Sequence, residues 1–228
     1  MRVLITRPLR DAQSTAQALR ERGHESVLSP VLDMIGTGAS INGTWDGVIV
    51  TSAQTFDHLD ASSRGQICHL PLFVVGTRTA QAASESGFDG ACSIAPQASE
   101  LVKLLSKMRA QQFLYIAGQD RKSELEDGLA NSGHSVTPLV VYEARAATSL
   151  SPEAIEAISN KKLDAVLHYS RRSAALFRQL AEQAGLIDAL DHLHHICISR
   201  DAAEALAQEC VIAKTPDQEG LFAALELS

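Results

Sequence analysis

Aromatic residues are scarce in this chain: Phe, Trp and Tyr make up 4% of 228 residues, with one Trp and three Tyr. That leaves too few flat rings for the stacking platforms on which single-stranded nucleic acid lies. Positive charge is also short. Twenty Lys and Arg stand against 27 Asp and Glu, for a net charge of −7, so no basic face is available to neutralise phosphates and no nucleic-acid partner is expected. No apolar run approaches the roughly 20 residues that cross a bilayer, so no membrane partner is expected either. Met1-Arg2 leads straight into Val3-Leu4-Ile5 and then Arg7-Pro8, too short an apolar stretch for a secretory leader. The four cysteines, Cys68, Cys92, Cys197 and Cys210, are scattered and form no C-x-x-C pair. Neither a zinc site nor a disulfide framework is suggested, and the reading is of a protein of the reducing cytoplasm. Cys92, Cys197 and Cys210 lie in strand-like apolar runs and are expected to be packed thiols. G-x-G-x-x-G, the P-loop and G-x-S-x-G are all missing, which removes support for nicotinamide, nucleotide-hydrolase and serine-hydrolase chemistry.

What the chain does have is a message stated twice. Asp46-Gly47-Val48-Ile49-Val50-Thr51-Ser52 returns as Asp164-Ala165-Val166-Leu167-His168-Tyr169-Ser170. Phe73-Val74-Val75-Gly76, with the small residues after it, returns as Ile196-Cys197-Ile198-Ser199 and its own small-residue run. The opening Val3-Leu4-Ile5-Thr6, with Gly23-His24 behind a helix, returns as Phe113-Leu114-Tyr115-Ile116 with Gly133-His134. Units in the order A-B-C are followed by A-B-C again. Two similar α/β lobes commonly hold a ligand in the cleft between them.

Strands and helices alternate throughout this reading. Helices are expected over 9–22, 53–60, 77–87, 98–109, 152–160, 171–184, 200–209 and 217–226, and a linker from Pro30 to Gly38. A long strand runs from Val136 to Glu143, and a connector rich in Ala, Thr and Ser follows at 144–151. Such alternation predicts parallel sheets covered by helices on both faces. Ligands of open parallel sheets bind beyond the carboxyl ends of the strands. Here those ends carry Thr6-Arg7-Pro8, Thr51-Ser52-Ala53-Gln54, Gly76-Thr77-Arg78-Thr79, Gly118-Gln119-Asp120-Arg121, Tyr169-Ser170-Arg171-Arg172 and Ser199-Arg200-Asp201. Five of these six turns contain arginine. Free backbone N–H groups, a favourable helix dipole and side-chain donors recur together, which describes an anion-binding design repeated around a large polyanionic ligand. Each Ser or Thr is equally suited to cap the helix it precedes. His192, His194 and His195 crowd the start of one strand, but further metal ligands are not evident and a solvated loop is expected. Tyr142 is the conspicuous phenol, either an interlobe packing residue or a proton donor facing the cleft.

Thr6-Arg7-Pro8, Asp46 through Ser52, Val75-Gly76 with Thr79-Ala80, Val140-Val141-Tyr142-Glu143, and Asp164 through Ser170 occur in order at fitting separations. In this combination the chain resembles the uroporphyrinogen-III synthase family over essentially its full length. The resemblance implies an α/β fold of two similar flavodoxin-like lobes, each a parallel sheet flanked by helices, joined by a two-stranded β connection with a cleft between them. The repeat alone would divide the chain near residue 110. The family instead joins 1–33 with 145–228 as domain one and makes 38–138 domain two, with 34–37 and 139–144 as connectors.

The resemblance further implies conversion of hydroxymethylbilane, a linear tetrapyrrole bearing eight carboxylates, to uroporphyrinogen III, with loss of water and inversion of the last ring. No cofactor or metal is implied, and a monomer is. A transient contact with the preceding pathway enzyme is the expected macromolecular encounter. Tyr142 matches the family tyrosine proposed as general acid, Ser52 and Thr79 match cleft positions of domain two, and Ser170 one of domain one. With the strand-end residues, the expected substrate-binding set is Thr6, Arg7, Thr51, Ser52, Gln54, Gly76, Thr77, Thr79, Arg121, Ser170, Arg171 and Arg200. Departures are Gln54 in place of asparagine, Ala117 in place of arginine, and Ser199-Arg200-Asp201-Ala202 in place of a glycine-containing turn. The competing reading is a non-catalytic two-lobed sensor of a polyanion, although no basic helix-turn-helix lies outside the repeats.

Overall fold

The computed structural model describes residues 1–227. In chain order the elements are β1 (Arg2–Ile5), α1 (Leu9–Glu21), β2 (Glu25–Leu28), β3 (Leu32–Gly36), β4 (Gly47–Val50), a 3-10 helix (Ala53–His58), α2 (Ala61–Ile67), β5 (Leu72–Val75), α3 (Thr77–Glu85), β6 (Cys92–Ala95), α4 (Ala98–Leu105) and β7 (Gln112–Gly118). There follow α5 (Glu124–Asn131), β8 (Ser135–Ala146), α6 (Pro152–Ser159), β9 (Ala165–His168), α7 (Arg171–Gln183), α8 (Ile187–Leu190), β10 (His194–Cys197), α9 (Arg200–Ala203), β11 (Cys210–Ile212) and α10 (Gln218–Leu225). Among the described residues no helix is long and apolar enough to cross a membrane.

The chain divides into two compact units, Met1–Asp33 together with the chain from Arg145 onward, and Met34–Ala144. In the first, the sheet order is β11-β10-β9-β1-β2, with every pair parallel. Alternation along β1 sends Leu4 to one core with Val166, Phe177 and Leu180, and Val3 and Ile5 to another with Leu167, Leu221 and Phe222. A sheet with two apolar faces must be covered on both, and helices on each side cover them. The second unit repeats the plan in the order β3-β8-β7-β4-β5-β6, where β8, β7, β4, β5 and β6 pair in parallel. Here Val48, Val50, Leu114 and Ile116 face one core while Ile49, Phe113, Tyr115 and Ala117 face the other.

Several local expectations are corrected. The stretch expected as a linker contains β3, which lies beside β8. Helices α2 and α8 have no counterpart among the expected elements; α2 is started by Asp60, whose carboxylate accepts from the Ser63 backbone N–H at 2.9 Å and the Ser63 hydroxyl at 2.7 Å. The helix expected over 200–209 stops at Ala203, because Ala205 and Leu206 bond back only three residues and tighten the turn. Cys92 is exposed on the outer strand β6, not packed. His195 is not solvated: it is buried in β10 and bonded to His168. Among the described residues no His, Cys, Asp and Glu group is placed to hold a metal ion.

Candidate active site

The carboxyl ends of both sheets carry the residues singled out from sequence. In the first unit, Thr6 is buried and its hydroxyl donates to the Leu167 carbonyl, so it ties β1 to β9. Arg7 is held from several sides. Its guanidinium lies 4.1 Å from the Tyr169 ring centroid and 3.5 Å from Asp11, and donates to Thr15 at 3.2 Å. Burial pushes the Tyr169 phenol up, so the ring beneath Arg7 stays neutral. Ser170 caps α7 by accepting from the Ser173 N–H at 3.1 Å. Arg171 is exposed and paired with Asp201 at 3.1 Å and Glu204 at 3.6 Å, and Arg200 is exposed at the start of α9. Ser199 is a cap as well, accepting from Ala202.

In the second unit the structure brings Thr51, Ser52, Arg121 and Tyr142 around one cavity of about 300 Å³. Tyr115, Gly118, Lys122 and Glu124 also line it. Ser52 caps the 3-10 helix, accepting from the Gln54 N–H at 3.3 Å. Gly76 adopts φ of 81°, a left-handed geometry that favours glycine, and turns the chain from β5 into α3. Thr77 is exposed at that helix start, whereas Thr79 is buried. Gln54, Gly76, Thr77 and Thr79 do not line the cavity. Arg121 donates from Nε to Glu126 at 2.8 Å, with about a fifth of its side chain exposed.

Two residues that the sequence did not single out bear on this site: Tyr115 lines the cavity, and His58 packs against Tyr142. Tyr115 sits in β7, where alternation alone reads as core; only its position near the carboxyl end of the strand hinted at more. Its phenol bonds the Thr51 hydroxyl at 3.0 Å, and burial pushes it up, so it remains protonated. Gly118 lies opposite Tyr142 in the register of β7 and β8. His58 packs its ring against Tyr142 with centroids 5.2 Å apart, and burial lowers its affinity for a proton. The Tyr142 phenol, the bonded hydroxyls of Tyr115 and Thr51, and an arginine thus meet in one recess.

Fold and site together define a two-unit parallel α/β protein whose polar residues gather where the strands end. A family model described as uroporphyrinogen-III synthase HemD matches residues 13–223. The chain belongs to the uroporphyrinogen-III synthase family and, as such, is a cyclising lyase of haem biosynthesis. It is similar in fold to uroporphyrinogen-III synthetase from Helicobacter pylori, with a TM-score of 0.65, 18% identity and full coverage of both chains. It is also similar to a mutant uroporphyrinogen III synthase from the extremely thermophilic bacterium Thermus thermophilus, with a TM-score of 0.52 and 18% identity over 100% of each chain. No curated protein matches the chain by sequence. Nothing in the fold or these likenesses favours the sensor reading.

Proposed function

We propose that hydroxymethylbilane is bound through its carboxylates at the strand-end turns and that Tyr142 is the general acid of the cyclisation. The observation that carries this reading is the place of Tyr142 in a recess with Thr51, Ser52 and Arg121. The pyrrole nitrogen lone pair expels the hydroxymethyl oxygen, which leaves as water with the phenol proton, and an azafulvene results. Attack by the substituted carbon of the last ring forms a spiro intermediate. The original bridge bond at that carbon breaks, the bridge forms again at the ring's free α-carbon, and the proton lost from that carbon returns to the phenolate, so the ring is inverted and the acid restored. The protein's main work is to hold the flexible chain in the geometry for this closure and away from the uninverted one. A placed acid contributes a further ~10²–10⁴-fold.

Thr6, Ser170 and Ser199 serve chiefly as ties and caps in this reading, while their turns' free N–H groups remain for carboxylates. Arg121, Arg171 and Arg200 are the side-chain anion donors, and the ion pairs of the first two must open to substrate. The enzyme works as a cytoplasmic monomer, without cofactor, and meets the preceding enzyme only transiently because its substrate is unstable in water. The test is to incubate the purified chain with fresh hydroxymethylbilane and separate the oxidised products by isomer. Isomer III is expected; isomer I alone from folded protein would sink the reading.

A further inference from the structure

Strand pairing decides where Tyr142 points. Along β7 and β8 the register runs Leu114 to Thr137, Tyr115 to Pro138, Ile116 to Leu139 and Ala117 to Val140. Gly118 should then face Val141, but it faces Tyr142, because the register slips by one residue between Ala117 and Gly118. Simple alternation would send Val141 and Tyr142 to opposite faces of the sheet. The slip lets Val141 stay buried in the core with Leu114 and Ile116, while Tyr142 packs beside that same core. Gln119 then donates its N–H to the Tyr142 carbonyl at 2.8 Å, which locks the slipped pairing. An irregularity of this kind beside a site re-aims a side chain.

The slip puts the Tyr142 ring where a side chain at 118 would be. A Cβ there would lie 2.6 Å from Cζ and 2.9 Å from the phenol oxygen. The glycine is not needed for its backbone: Gly118 is not among the positive-φ glycines. The three heavy atoms nearest to such a Cβ all belong to the Tyr142 ring and phenol, so an alanine there must displace them. The His58 ring also packs against the Tyr142 ring, with centroids 5.2 Å apart and a tilt of 31°, and its buried Nε2 has no partner among the described residues.

We propose that Gly118 and His58 are positioning residues that set the place of the Tyr142 phenol in the cavity, Gly118 by leaving the space and His58 by walling it. The proposal rests on the reading of Tyr142 as general acid, and goes beyond it by naming what holds that group. A misplacement of about 1 Å costs roughly 10²-fold in turnover. Gly118→Ala in the full chain is therefore expected to lower kcat at least about tenfold, with KM changed by less than about threefold. Combined with Tyr142→Phe it should cost nothing further, since it acts only through the phenol. His58→Ala should behave likewise, and His58→Phe should restore turnover, because a flat ring is what is required.

A second readout is independent of activity. The chain has three tyrosines, so protein labelled with 13C at tyrosine Cζ shows three resonances, with Tyr142 assigned by its loss in Tyr142→Phe. Gly118→Ala and His58→Ala are expected to shift the Tyr142 resonance and leave Tyr169 in place. An unmoved Tyr142 resonance in a folded variant overturns the proposal, whatever the activity. A shifted resonance in a protein that makes only isomer I would keep the positioning and remove its catalytic meaning. If Gly118→Ala does not fold, His58→Ala and His58→Phe decide the matter by the same two readouts.

Discussion

His168 and His195 stack in the first unit with rings 5° from parallel and Nε2 of one 3.1 Å from Nδ1 of the other. Nε2 of His195 lies 3.3 Å from the Leu190 carbonyl, which can only accept, so that nitrogen carries the proton. Nδ1 of a neutral His195 is then the acceptor, and His168 donates from Nε2. The remaining nitrogen, His168 Nδ1, is buried without a partner among the described residues. Both rings are thus neutral, and burial holds both below the ordinary histidine range, His168 far below it. Folding excludes protons that the unfolded chain binds below about pH 6.5, so stability falls as the pH is lowered through that value. The slope from each such histidine approaches about 1.4 kcal/mol per pH unit. Urea melts between pH 8 and pH 5 should show the loss, and His168→Leu should flatten it; an unchanged slope in that variant would remove the pair as its source.

Tyr142→Phe removes one oxygen from a ring whose packing stays. Turnover should drop by at least about tenfold, and the fall should appear in kcat, not in KM. A change confined to KM would return the residue to a binding or packing role. The product that still forms should shift toward isomer I, because spontaneous closure competes once the assisted path slows.

Glu126 occupies Nε of Arg121 before any substrate arrives. Glu126→Gln keeps the shape and removes the competing charge. If Arg121 meets a substrate carboxylate, KM for hydroxymethylbilane should fall by about two- to fivefold, for a partly exposed pair is worth under about 1 kcal/mol. Steady-state rates over a range of substrate settle it, and a KM that rises would make the pair a structural clasp.

Arg7 separates two roles by its surroundings. The flat guanidinium over Tyr169, with bonds to Thr15 and contact with Asp11, cannot be reproduced by a lysine ammonium. Arg7→Lys should lower the unfolding free energy by about 1 kcal/mol, seen in denaturant melts. Michaelis behaviour unchanged in that variant would make Arg7 part of the scaffold; a KM raised well beyond the stability loss would keep it among the carboxylate partners.

Much of the site could be read from the chain because parallel α/β architecture ties position to sequence. A strand followed by Thr51-Ser52 or Gly118 to Arg121 and then a helix must leave those residues at the carboxyl end of a sheet, wherever that sheet lies. Tyr115 and His58 escaped for the same reason in reverse: a phenol inside an apolar strand and an imidazole closing a short helix carry no local mark of what they meet, the cavity for Tyr115 and the Tyr142 ring for His58. The polar pattern also cannot say which donors are already occupied. Arg121 and Arg171 look alike in sequence, yet each meets its own carboxylate in space.

By itself the sequence determined the alternation of strands and helices, the apolar cores on both faces of each sheet, and the ordered motifs of the synthase family, because periodicity and turn chemistry are local properties. Only the tertiary structure decided that β1 lies between β9 and β2 while β7 lies between β8 and β4, against the division near residue 110 that the repeat suggests. It also decided that one slipped register turns Tyr142 onto Gly118. Strand order and register depend on contacts between residues over a hundred positions apart or across neighbouring strands, and no stretch of local sequence records them.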